Sequence, residues 1–171
     1  MTGARAAGSG LASVVVLSLW LGAAIVVTTV VAPAAFAVLP TRALAGALVG
    51  RVLPVLFWSG AVVGVIVAVL ARGHRATRVR RFAGLAVTIA CLAAQLVVAP
   101  RIARVRVDAG VTIDQLARED PRRIAFGRLH AVSVALLGAA ALAGVAALFF
   151  TVRTLGTTSV RYDMSNPLHE P

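Results

Sequence analysis

A chain of 171 residues that is 60% hydrophobic and only 13% charged, with a mean hydropathy of +0.93, is too apolar for a water-soluble domain, whose helices carry one apolar stripe rather than apolar runs on every face. The net charge of +11 comes from 17 arginines and no lysine. These gather at the ends of apolar runs instead of sharing one face, so the expected polyanion is the anionic headgroup of a lipid bilayer and not nucleic acid.

Four runs, 11–39, 48–71, 85–99 and 129–152, are almost free of charge. About 18 or more apolar residues in a helix cross the ~30 Å hydrocarbon core. The predicted fold is therefore all-α: an integral membrane, antiparallel four-helix transmembrane bundle. A short N-terminal segment, 1–10, precedes the first span. Arg5 and the small residues Ala35 and Ala37 resemble parts of a cleavable signal, but the apolar run is about twice the usual 7–15 residues. It is read as a retained span over 11–32.

Pro33 bends or ends that span, because proline removes a helix hydrogen bond and disfavours helix just before itself. Leu39, Pro40 and Thr41 read as a turn. Span two covers 43–70, with Arg51 snorkelling to the headgroups. The second connection, 72–81, holds five arginines and no acid. Span three covers 82–103 and passes into a basic extension that stops at Gly110. Thr112 and Gln115 have capping-box spacing for a short surface helix over 113–119. Asp120 then reads as an N-cap with Pro121 at the first helical position. Span four covers 121–153, and 154–171 reads as a disordered polar tail. Val30, Val31, Ala32 and Pro33 recur as Val97, Val98, Ala99 and Pro100, a faint echo compatible with two duplicated hairpins.

Four spans put both termini on one side. Eight arginines fall on that side and nine on the other. The densest short loop is 72–81, so the positive-inside rule places both termini in the cytoplasm of a bacterial plasma membrane. Polar side chains and prolines concentrate at the opposite end: Pro33, Arg51, Pro54, Gln95, Pro100, Arg101, Arg128, His130 and Ser133. The half nearer the termini reads as nearly pure Val, Leu, Ala and Gly.

His130 is the single intramembrane histidine. Phe126, His130 and Ser133 share a helix face by spacings of four and three, and Gln95 on span three is placed to meet them. Intramembrane polar groups face the bundle interior, and an ionisable one suggests a site. The candidate polar site is thus His130, Ser133, Gln95, Arg101 and Arg128, the arginines attracting an anion or headgroup. Interhelix hydrogen bonding is the plainer role for His130. Gly46 with Gly50, and Gly60 with Gly64, have the spacing that lets helices approach closely. Trp20 and Trp58 lie too deep for interfacial anchors and are expected inside the bundle. Cys91 is expected to pack as a small hydrophobe.

No enzyme chemistry is expected. The six acids lie in the third connection and the tail, and no zinc, thiol-redox or phosphate-loop motif occurs. Within one subunit, a haem held by two intramembrane histidines is ruled out.

Trp20, Leu21 and Gly22, then Pro33 and Phe36, then Gly46 and Gly50, then Pro100 and Arg101, and last Phe126, Leu129, His130 and Ser133 occur in an order that resembles the transmembrane protein 205-like family, also called domain of unknown function 4149. The resemblance spans about residues 11–150. It implies a small four-span protein without an established biochemical activity, distantly similar to membrane groups that handle copper or haem. The expected function is a non-enzymatic role in membrane transport, stress resistance or scaffolding, without a cofactor. The alternatives are a copper- or haem-handling protein in which His130 of each copy of a homo-oligomer supplies a ligand, a small-solute exporter, and a purely structural subunit. Expected partners are the lipid bilayer, anionic lipid headgroups and further copies of the chain in a homo-oligomer, with no nucleic acid.

Overall fold

The computed structural model describes residues 2–71 and 75–164, and side chains over 8–71 and 78–153. It is helical, with no strand among the described residues. Four helices are long and apolar enough to cross a membrane: Gly8–Val38, Arg42–Leu70, Arg78–Ala109 and Pro121–Arg153, of 31, 29, 32 and 33 residues. At 1.5 Å per residue even the shortest reaches about 43 Å, so each has turns left over for the headgroup zone or for tilt.

The first helical rod consists of α1 (Thr2–Val26), a π turn (Val27–Val31) and α2 (Ala32–Val38). Helix therefore continues past Pro33 instead of ending at residue 32. A proline ring strikes the carbonyl four residues back, and the wider π turn relieves that contact just before it. Thr28 and Thr29 donate hydroxyl hydrogen bonds to the carbonyls of Ala24 and Ile25, at 2.8 and 2.7 Å. The third rod repeats the device: α4 (Arg75–Ala93), a π turn (Ala94–Val98) and α5 (Ala99–Ala109), with Pro100 in the first turn of α5. Both copies of the Val-Val-Ala-Pro echo thus take one local form. Gly110 ends α5 at φ 66°, in the left-handed region, as its place in the sequence suggests.

The second rod, α3 (Arg42–Leu70), is capped by Thr41, whose side chain accepts the Leu44 N–H at 3.2 Å. The fourth, α6 (Pro121–Met164), is capped by Asp120, whose carboxylate accepts the Arg122 N–H at 2.8 Å. Helix α6 runs beyond residue 153 through 164, in a stretch that the sequence reading leaves disordered. Extending a formed helix adds one bond per residue, whereas nucleation is the costly step, and no proline intervenes before Pro167. The rest of that tail, 165–171, and residues 72–74 of the arginine-rich connection lie outside the described residues. The helix expected over 113–119 is a single 3₁₀ turn, Ile113–Gln115, and the Thr112 side chain makes no cap bond. Two arginines of α6 hold this connection instead: Arg122 donates to the Asp108 carbonyl at 3.2 Å and Arg123 to that of Leu116 at 2.6 Å.

The rods close tightly toward the second connection. Trp20 is buried and donates its indole N–H to the Leu56 carbonyl at 3.0 Å. A Cβ added to Gly60 would lie 2.7 Å from Trp20 and from the buried Cys91 sulfur. Gly64 and Gly84 let α3 and α4 meet backbone to backbone: a Cβ on Gly84 would sit 2.7 Å from the Gly64 carbonyl oxygen. Thr88 donates across this seam to the Ala61 carbonyl at 3.3 Å. Beyond it Leu17, Val67 and Ala147 form a second buried cluster. This end, nearly pure Val, Leu, Ala and Gly, also buries Ser13, Arg80 and Thr151. The two hydroxyls are used locally, on the carbonyls of Ser9 and Ala147 at 2.9 and 2.6 Å, whereas the buried Arg80 Nε has no hydrogen-bond partner among the described residues. An Arg80 Nη donates at 3.0 Å to Leu70, one of the last carbonyls of α3, which lack a partner within the helix. Trp58, expected inside, is 47% exposed and faces outward.

Candidate functional site

At the end holding the first and third connections, α2 packs on α3 and α5 on α6, while the two pairs splay apart. Two adjoining clefts lie between them, an inner one of about 500 Å³ and an outer one of about 750 Å³. Helix α3 supplies Gly46, Val49, Gly50 and Leu53 to the inner wall, at the three- and four-residue spacings of one helix face. The facing wall carries Gln95 from the π turn and Ala99, Ile102, Ala103 and Arg106 from α5. Helix α6 adds Phe126, His130 and Ser133. Gln95 thus sits on a π turn, a feature frequent at functional sites.

Arg106, Phe126 and His130 stack in succession. The Phe126 and His130 rings are stacked, 3° from parallel with centroids 6.3 Å apart. The Arg106 guanidinium lies over the Phe126 face, 5.3 Å from its centroid. Its nitrogens are 3.8 Å from where a Cβ would sit on Gly46 and on Gly50, so the two glycines make room for it. Among the described residues, no hydrogen bond or ion pair engages Arg106, Gln95, His130 or Ser133. Arg42, Arg106 and Asp114 line the outer cleft, which makes its mouth net positive. At the start of α6 Arg122 bridges Asp120 at 2.8 Å. The Arg122 hydrogen bonds hold the Asp120 carboxyl down at about 2, well below the usual aspartate value.

The structure therefore brings His130, Ser133 and Gln95 together, although no hydrogen bond joins His130 to Gln95. It leaves Arg101 and Arg128 exposed and outside the clefts. Helical phase explains this. At 100° per residue, eleven residues bring Arg106 back to within about 20° of Gln95, whereas Arg101 falls on the far side. That phase was readable in the sequence and was the missed signal for Arg106. Of the motif residues, Phe36, Gly46, Gly50 and Phe126 line the inner cleft, and Trp20 is in the core. Gly22, Pro33 and Pro100 are exposed. No group of three or more His, Cys, Asp or Glu gathers as a metal site among the described residues. What the clefts offer is a free guanidinium at the mouth, an amide, a hydroxyl and an imidazole further in, and apolar walls between.

A family model described as a domain of unknown function (DUF4149) matches residues 15–110. No curated protein and no solved structure matches the chain. The matched residues include the α3 and α5 walls of the cleft and stop before α6.

Proposed function

We propose, from the premise that this chain belongs to the domain of unknown function 4149 family, that it is a non-enzymatic multi-pass protein of the bacterial plasma membrane whose cleft admits a small ligand for transport. One observation carries this: Arg106, Gln95, His130 and Ser133 line one cleft with no hydrogen-bond partner among the described residues. A polar group left bare in hydrocarbon costs several kcal/mol, so water or a ligand must supply the bonds that Gln95, His130 and Ser133 lack. A pure scaffold has no use for such a cleft and would close it, as the other end of this bundle does.

The proposed orientation has both termini in the cytoplasm, so the cleft opens on the outer face. The test is thiol labelling of a Ser133→Cys variant in a Cys91→Ala background, using a membrane-impermeant maleimide. Labelling on intact cells, and none from the cytoplasmic face of inverted vesicles, is the expected result. Absence of labelling from either face returns the protein to the scaffold reading. An absorption spectrum of the purified protein beside His130→Ala checks the haem and copper alternative: a His130-dependent band would replace the transport reading.

A further inference from the structure

We infer that the ligand of this cleft is an amphipathic organic anion, its carboxylate or phosphate held by Arg106 and its apolar body lying between α3 and α5. This rests on the accessible cleft proposed above and names its ligand class.

Arg106 lines both clefts, at the point where they join. It is always charged, and its planar fork of five N–H donors matches the geometry of carboxylates and phosphates. Here none of those donors is engaged by a described residue, and no carboxylate pairs with it. Its exposed side chain lies over the Phe126 face at 5.3 Å, in the room left by Gly46 and Gly50. A cation so placed without a counter-ion is an anion site. Arg42 adds a second positive charge at the mouth against the single acid Asp114, which favours entry of anions.

The apolar half of the ligand follows from the walls. Between Arg106 and Gln95 the cleft is lined chiefly by apolar groups such as Leu53, Phe57 and Ile102. Eleven residues of helix separate those two polar points, about 16 Å, close to the ~15 Å depth of one leaflet. A bare inorganic ion leaves that wall unfilled, and a neutral solute leaves Arg106 unpaired. Arg106 is in the last turn of α5, at headgroup level, so the anion can arrive laterally as a lipid or from water as a free amphiphile.

The test measures binding to the full-length protein in a neutral detergent, by thermal shift and native mass spectrometry. The probes are decyl phosphate, phosphatidylglycerol, phosphatidylcholine and inorganic phosphate. Decyl phosphate or phosphatidylglycerol should bind, with affinity falling about tenfold or more in Arg106→Gln and less in Arg106→Lys, which keeps the charge but loses the fork. Arg101→Gln, outside the cleft, should leave binding unchanged. Binding of decyl phosphate alone assigns a water-borne source, and of phosphatidylglycerol alone a lipid source; either supports the inference. It is overturned if inorganic phosphate matches decyl phosphate, if phosphatidylcholine matches phosphatidylglycerol, or if both Arg106 variants bind like wild type. Labelling of the Ser133→Cys variant reads the cleft separately. If labelling persists while binding is independent of Arg106, this inference fails and the transport reading stands.

Discussion

Two glycine pairs of the same spacing lie on α3, Gly60 with Gly64 and Gly46 with Gly50, and they meet opposite surroundings. The first pair faces Trp20, Cys91 and the backbone of Gly84 with nothing to spare, while the second faces the Arg106 guanidinium at van der Waals distance. The difference comes from the partner helix. Opposite Gly64 stands a third glycine, so two backbones meet. Opposite Gly46 and Gly50 stand Ile102 and Arg106, too large for a close approach, and a cleft remains. A small-residue pattern on one helix is therefore permission for contact. Whether contact forms depends on the residue that faces it.

The contrast can be broken most severely with the large side chains. Trp20→Ala should cost about 3–5 kcal/mol, the range for emptying a buried aromatic site. Phe126→Ala, beside a cleft that is already open, should cost about 1–1.5 kcal/mol from its lost ring contacts. Reversible unfolding of both variants in mixed micelles measures the gap, and equal losses would show that the cleft end is packed as tightly as the other. Next in size are the glycines. Gly84→Ala drives a Cβ into the Gly64 carbonyl and should cost about 1–3 kcal/mol. Gly46→Ala should leave stability unchanged, or raise it by up to about 1 kcal/mol through helix propensity.

The smallest effect lies at the rim of the open end. The Asp120 carboxyl is held at about 2 by Arg122, below the ordinary ~3.9 of an unfolded chain. Its contribution is complete above the unfolded value and is lost as pH falls through about 2. The thermal midpoint of wild type should thus fall more steeply than that of Asp120→Asn as pH drops from about 4 toward 2. Parallel curves would remove the cap from the account of how α6 begins.

Much of this molecule is legible from local chemistry. Four apolar runs give four helices long and apolar enough to cross a membrane, because the length needed to cross a bilayer is a property of one segment. The stop at Gly110 and the start at Pro121 follow from backbone rules that act within a few residues. Cys91 and Trp20 pack where their apolar surroundings place them. Phe126, His130 and Ser133 share the cleft because one helix period fixes their common face.

Other features needed the assembled bundle. Pro33 reads as a bend or end of the first span, yet a π turn before it, as before Pro100, lets the rod continue. Trp58 and Trp20 are the same residue type at similar depth, but only Trp20 faces a neighbour. The choice of Arg106 over Arg101 and Arg128 turned on which side of α5 and α6 faces the splayed gap. Hydropathy, capping and period are all short-range, so the four membrane-capable helices and their faces are properties of single segments. Which end closes, and which arginine lines the cleft, followed from the tertiary structure. Those outcomes depend on which residues meet across helices, and here one glycine opposite another closes the seam while one arginine opposite two glycines holds a cleft open.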